Sequence, residues 1–339
     1  MLLNIKITKK LKNIHFGNCS ITMISQNQRA FICGLKGYKI TKSEKAFLIK
    51  HKPWGVILFS RNIKSFKQTQ LLTQSIKTIS KNPNFPILID EEGGRVTRLK
   101  KFIDNSVFSA KYFGDLYLND RKKFYIYYDV YVKQISYLLK LLGININTVP
   151  VLDLLRKKAH KIVGDRSFSI NKNIISKLGD ICIEKFHKNK IGTIIKHIPG
   201  HGLAKADSHL KLPVINNNLN YLLKNDFGIF KEKKSIMAMT GHLLFNSIDK
   251  NDPVTHSKKL IKIIRKNIKF NGLIITDDLS MKALSKDIKN NVIKSFQAGC
   301  NLALHCNGKL NEMIVVAKNS PKIDNFIIKK TEQITNIIS

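Results

Sequence analysis

Four polar clusters in this sequence could carry chemistry. GLIITDDLSM (272–281) runs an apolar stretch straight into two adjacent carboxylates, Asp277 and Asp278. Aspartate caps helices well, so one of the pair could close the first turn of a following helix. The other would be left as an oxygen nucleophile, and spacing alone does not choose between the two roles. KHIPGHG (196–202) followed by DSH (207–209) gathers His197, His201, His209 and Asp207 in one stretch. Metal ligation is the first thought, but the spacings match no common zinc pattern, and Lys196 beside His197 would repel a cation. Asp207 and His209 stand two apart, close enough in an extended or turn backbone for the carboxylate to reach the imidazole. Such a pair orients the ring and keeps its proton affinity in a range useful for transfer. The competing reading is a surface loop with unrelated His and Asp residues. DEEGGRVTR (90–98) joins acids to a glycine pair and two arginines. Carboxylate and guanidinium make bidentate hydrogen bonds to vicinal hydroxyls or to a second carboxylate. A phosphate loop is excluded by the preceding acids and the lack of a GxxxxGK[ST] pattern. VGDRSFS (163–169) adds Arg166.

These clusters do chemistry together only if the fold brings them to one place. Each polar group except those of 163–169 directly follows a short apolar run. Strands are expected at 29–33, 55–59, 86–89, 145–149, 193–195, 236–239, 273–276 and 302–304. Helix-period stretches lie between them, among them 43–50, 67–80, 121–142, 172–188, 257–267 and 290–298. Eight strand–helix repeats are the count for a (β/α)₈ TIM barrel, although a doubly wound sheet has a similar rhythm. Polar residues at the carboxyl ends of the strands (Asp90, Lys196 and His197, His242, Asp277) favour the barrel, whose chemistry sits on that face.

The chain has 339 residues, 43% of them hydrophobic, with no linker, repeat or low-complexity block, so one domain spanning 1–339 is expected, with the first ~20 residues a peripheral extension. Lys and Arg number 59 against 23 acids, a net charge of +36. That excess is the usual footprint of a polyanion binder. Here, however, it is mostly Lys, dispersed along the chain and accompanied by Ile and Asn, the signature of compositional drift. The five cysteines are odd in number and form no CxxC, which argues against a disulfide framework. No signal-peptide core and no run of ~18 apolar residues is present. A reducing cytoplasm, no membrane partner and no specific nucleic-acid partner are the expectation.

Taken in order, IDEEGGRVTR, VGDRSFS, KHIPGHG…DSHLKLP, MTGH and ITDDLSM resemble glycoside hydrolase family three. The likeness is to its single-domain bacterial β-N-acetylglucosaminidases of peptidoglycan recycling. GVILFSRNI (55–63), NTVPVLDL (147–154) and AGCNLALHCNG (298–308) support it. The resemblance implies a retaining reaction at a terminal β-linked N-acetylglucosamine, with a GlcNAc–1,6-anhydro-MurNAc muropeptide as substrate and a monomeric enzyme needing no metal or cofactor. It makes Asp277 the nucleophile, His209 the general acid and base, and Asp207 the residue that orients His209. It assigns Asp90, Arg98, Arg166, Lys196 and His197 to binding the sugar. A histidine acid/base departs from the carboxylate pair, ~5–5.5 Å apart, usual in retaining glycosidases. Asn301 and Gly241 depart from the family pattern without touching these residues. The length leaves no room for the second α/β domain of many family-three β-glucosidases, which favours N-acetylglucosaminides. Two alternatives remain: a phosphorylase using the same covalent intermediate, whose histidine would not repel phosphate, and a non-catalytic polyanion-binding barrel.

Overall fold

The computed structural model describes residues 27–156, 163–208 and 210–339. His209 and the N-terminal extension lie outside the described residues. In chain order the elements are β1 (Arg29–Gly34), α1 (Lys42–His51), β2 (Pro53–Leu58), α2 (Phe66–Ser80), β3 (Ile87–Ile89), α3 (Ala110–Asn119), α4 (Arg121–Leu141), β4 (Ile146–Asn147), α5 (Lys172–Lys188) and β5 (Gly192–Ile198). They continue with β6 (Val214–Ile215), α6 (Leu219–Lys224), β7 (Met237–Thr240), β8 (Leu244–Phe245), α7 (Lys258–Lys266), β9 (Leu273–Asp278), α8 (Ile288–Ala298), β10 (Leu302–His305), α9 (Leu310–Asn319) and α10 (Asn325–Ile338).

Eight strands close a parallel barrel in the order β1-β10-β9-β7-β5-β4-β3-β2, while β6 and β8 pair in a small separate sheet. All eight expected strands are present, and the barrel is the architecture. Period two decides which side chains enter it. Ala30 and Ile32, Met237 and Met239, Leu273 and Ile275, and Leu302 and Leu304 fill the interior with Leu88, Ile146 and Ile194. The intervening Phe31, Cys33, Ile87, Ile89, Ile195, Ala238, Ile274 and Ala303 face the helices in the larger core. The floor is sealed by α10, whose Ile327 and Ile334 join the interior layer. Trp54 Nε1 donates to Thr331 Oγ1 on that helix at 2.9 Å.

Some boundaries differ from expectation. At the exit of the barrel β5 runs on to Ile198 and β9 to Asp278, so Lys196, His197, Asp277 and Asp278 belong to strands rather than to loops after them. Parallel neighbours supply the reason: Lys196 pairs in register with Met239 of β7, and Leu304 of β10 with Asp278. The helix-cap reading of the aspartate pair is corrected. Helix α8 starts ten positions further on and takes Asp287 as its N-cap.

Candidate active site

One step of period two beyond the apolar layer, the inward position turns polar on four of the strands. Leu88 is followed by Asp90, Ile146 by Thr148, Ile194 by Lys196 and Ile275 by Asp277. The cavity at this end of the barrel has a volume of about 440 Å³, in the range of small-molecule sites. Asp90, Arg98, Arg166, Lys196, His197 and Asp277 all line it.

Its charges are paired in a connected network. Lys196 Nζ lies 3.0 Å from Asp90 Oδ1 and 2.6 Å from Glu92 Oε1. It also donates to Thr148 Oγ1 at 2.7 Å, and that hydroxyl donates to Asp90. Arg98 Nη2 reaches the other Asp90 oxygen at 3.3 Å. Arg166 grips Glu92 through two bonds of 2.8 Å, a bidentate pair. Of the two uses open to these arginines, Arg166 has taken a second carboxylate. Burial by itself would push the Asp90 carboxyl up. Lys196 and Arg98, with hydrogen bonds from Thr148 and Lys196, outweigh it and hold the group well below the usual carboxylate range. Burial likewise opposes ionisation of Glu92, but Arg166 and Lys196 bring it down to about 2. Glu92 in turn raises the proton affinity of Arg166 against the effect of burial. These groups stay ionised at neutral pH, and their donors and acceptors are fixed before any ligand arrives.

Beside the network, His197 Nδ1 is 2.6 Å from Asp153 Oδ2. Asp153 also accepts the backbone N–H of His201 at 2.7 Å. Despite burial, which would raise it, the Asp153 carboxyl is held at about 2 by His197 and then His201. A carboxylate on Nδ1 fixes the ring and leaves Nε2 for the cavity. His201 has its Nε2 3.2 Å from Ser208 Oγ and is pushed down to about 4 by burial.

On the opposite wall β9 presents both aspartates. Asp278 is occupied in shaping the wall: its carboxylate accepts from Ser280 N, Ser280 Oγ and Cys306 N at 3.1, 2.7 and 3.0 Å. Asp277 Oδ1 accepts the Asp278 amide at 2.8 Å. Behind them His242 bridges Thr255 Oγ1 at 2.7 Å and the Asp278 carbonyl at 3.0 Å. Phe59 forms another side, with the Arg61 and Arg98 guanidinium carbons 4.7 and 5.4 Å from its ring centre.

The remaining pair from the sequence is placed only in part. Asp207 is half-buried on the loop after β5, and its carbonyl accepts from Leu210 and Lys211 at 3.0 Å. Among the described residues, this end of the loop contributes Ser208 to the cavity wall. Of the two departures, Asn301 sits at the far, amino-terminal end of the barrel, beside the starts of β9 and β10, and Gly241 lies against His197. Asn301 Oδ1 accepts from Arg265 at 2.7 Å and Ile274 N at 2.9 Å. Gly241 packs so closely that an added Cβ would lie 3.2 Å from His197 Cβ. Sequence reasoning missed Glu92, Thr148, Asp153 and Arg61 as site residues. Their signal was present in the quoted segments 55–63, 90–98 and 147–154, but nothing local told their side chains apart from structural ones.

Comparison with known proteins bears on the fold and the family. The chain is 29% identical over 295 residues to a β-hexosaminidase of Idiomarina loihiensis, a match spanning 85% of this chain and 86% of that one. With a β-hexosaminidase of Neisseria meningitidis serogroup A the identity is 31% over 285 residues, or 80% and 76% of the two chains. The crystal structure of native NagZ from Neisseria gonorrhoeae superposes with a TM-score of 0.73 at 25% identity, covering 92% of this chain and 97% of that one. The glycosyl hydrolase family 3 N terminal domain matches residues 7–337, nearly the whole barrel protein, and the chain therefore belongs to glycosyl hydrolase family 3.

Proposed function

We propose that this protein is a retaining β-N-acetylhexosaminidase that removes a terminal, non-reducing β-linked N-acetylglucosamine. GlcNAc–1,6-anhydro-MurNAc, with or without its peptide, is the physiological substrate in this reading. The observation that carries the proposal is the placing of Asp277, by strand alternation, across one cavity from a fixed array of Asp90, Arg98, Lys196 and His197. Hydrogen-bonding groups of both signs read the hydroxyls and N-acetyl group of one sugar and hold its anomeric carbon against the Asp277 oxygen. That oxygen forms the covalent glycosyl-enzyme while the glycosidic oxygen leaves with a proton. His209, oriented by Asp207, supplies the proton and later takes one from the attacking water. The named β-hexosaminidase relatives support the choice of sugar. A cytoplasmic monomer fits the buried thiols of Cys33, Cys182 and Cys300 and a charge of +36 that opposes self-association.

The test is release of p-nitrophenol from its β-N-acetylglucosaminide, wild type beside Asp277→Ala, with the β-glucoside as control. The expected result is activity on the acetamido sugar alone, reduced at least ~10³-fold by the substitution. A folded wild type without activity would sink the reading. Adding phosphate and looking for GlcNAc 1-phosphate separates hydrolysis from phosphorolysis.

A further inference from the structure

Away from the cavity, the outer face of α4 presents an unusual surface. The helix packs Phe124, Tyr128, Val132, Ile135 and Leu139 inward. It leaves Ile126, Val130, Tyr137 and Leu141 exposed, at 52, 58, 60 and 40%. At about 100° per residue these four fall in a stripe roughly 60° wide, so they form one apolar ridge. Lys122, Lys133 and Lys140 follow one edge of it.

The ridge ends in a basic cleft. At its C-terminal end α4 meets α2, where Gln70 donates to the Leu141 carbonyl at 2.9 Å and Thr73 to that of Leu142 at 2.7 Å. There an open cleft of about 550 Å³ is walled by Lys67, Lys77, Lys81 and Lys140. Among the described residues no carboxylate lines it and none of the four ammonium groups has an ion-pair partner. Burial pushes the pKa of Lys77 down, as expected for a cation without a counter-charge.

The chemistry of the two parts selects the partner. Polynucleotide would satisfy the lysines, but its bases stack on aromatic rings, and Ile126, Val130 and Leu141 are aliphatic. A second copy of the chain would set lysine against lysine and one charge of +36 against another. An anionic bilayer complements both, with headgroups for the cleft and the headgroup–acyl boundary for the ridge. We propose that the α4 ridge and the lysine cleft between α2 and α4 dock this protein peripherally on an anionic phospholipid surface. No described helix is long and apolar enough to cross a membrane, so the contact is lateral. It uses the flank of the barrel and leaves the mouth of the cavity uncovered. Sequence reading anticipated no membrane partner because lysines dispersed along the chain are gathered only by the packing of α2 against α4.

Cosedimentation with vesicles of phosphatidylglycerol and phosphatidylcholine, at roughly 0.15 M salt, tests this. Wild type should bind these vesicles and not pure phosphatidylcholine. Two variants should each lose at least about tenfold in affinity: Lys67→Gln/Lys77→Gln/Lys81→Gln/Lys140→Gln in the cleft, and Ile126→Ser/Val130→Ser/Tyr137→Ser on the ridge. A charge-matched control on the exposed face of α7, Lys258→Gln/Lys259→Gln/Lys262→Gln/Lys266→Gln, should stay within about twofold. Unchanged circular dichroism shows that each variant is folded. The proposal is overturned by failure of wild type to bind anionic vesicles, or by a control loss as large as that of the cleft variant. It is also overturned if the ridge variant binds vesicles normally while wild type binds homopolymeric RNA as tightly, which would hand the lysines to a polynucleotide.

Discussion

Glu92 Oε1 accepts from both Arg166 and Lys196, at 2.8 and 2.6 Å, and its Oε2 accepts from Arg166 at 2.8 Å. A neutral amide at this position keeps the shape but has one acceptor oxygen, so either Arg166 Nε loses its acceptor, or Arg166 Nη2 and Lys196 both face an N–H₂ group. Glu92→Gln should therefore lower kcat/KM by about 10–100-fold, mainly through KM, while the protein remains folded. Steady-state kinetics on the N-acetylglucosaminide decide it, and a change under twofold would show that the pairing does not position the arginine. Asp153→Asn acts on the neighbouring ring. It removes the charged acceptor of His197 Nδ1 and weakens that of the His201 amide. A loss of roughly 1–3 kcal/mol in urea unfolding is expected, with a fall in activity. The nearly complete burial of Asp153 is what makes an apparently conservative change costly.

Among the elements, α3 controls the loop that carries Arg166. Gly114 on this helix lies so near that loop that an added Cβ would stand 1.7 Å from the Phe168 carbonyl oxygen. Backbone cannot yield as a flexible side chain does, so Gly114→Ala should cost about 3 kcal/mol and displace the segment two residues past Arg166. Denaturant midpoints and KM read the two effects, and a cost under ~0.5 kcal/mol would mean that the helix simply slides. At the floor, Ile334 of α10 is 1% exposed inside the barrel layer. Ile334→Ala should destabilise by roughly 2–4 kcal/mol without altering KM, because cavity and floor lie at opposite ends. The strands and the long helices α2, α4 and α5 were legible from periodicity. The part played by α10 was not, since a terminal amphipathic helix reads alike whether it lies on the outside or plugs the end.

Over the whole molecule, buried titrating groups set the response to pH. His187, His201 and His256 are each pushed down by burial to about 4 from an ordinary 6.5. A depressed pKa contributes stability that is whole above the unfolded value, so theirs is lost as pH falls from 6.5 towards 4. Glu92 and Asp153, both held at about 2, are depressed from 4.5 and 3.8. Their contribution survives to about pH 4 and disappears below it. The thermal midpoint should decline in two stages, and His187→Gln should flatten the upper one. A midpoint unchanged between pH 7 and 5 would contradict the burial of these rings.

From the sequence alone, the eight-strand rhythm, with a polar residue after each of several apolar runs, favoured the barrel and gathered Asp90, Lys196 and Asp277 at its carboxyl face. Both are local properties, written in which neighbours along the chain are apolar. Only closure of the barrel decided the partners. Lys196 meets Asp90 across 106 positions, Arg166 meets Glu92 across 74, and His197 meets Asp153 across 44. No local pattern distinguishes a carboxylate that will be paired in the interior from one left in water. That choice depends on which strand ends become neighbours and on how much water their closure removes. The α4 ridge and the lysine cleft arise in the same way, because a helix face acquires a meaning only when its other side is committed to the core.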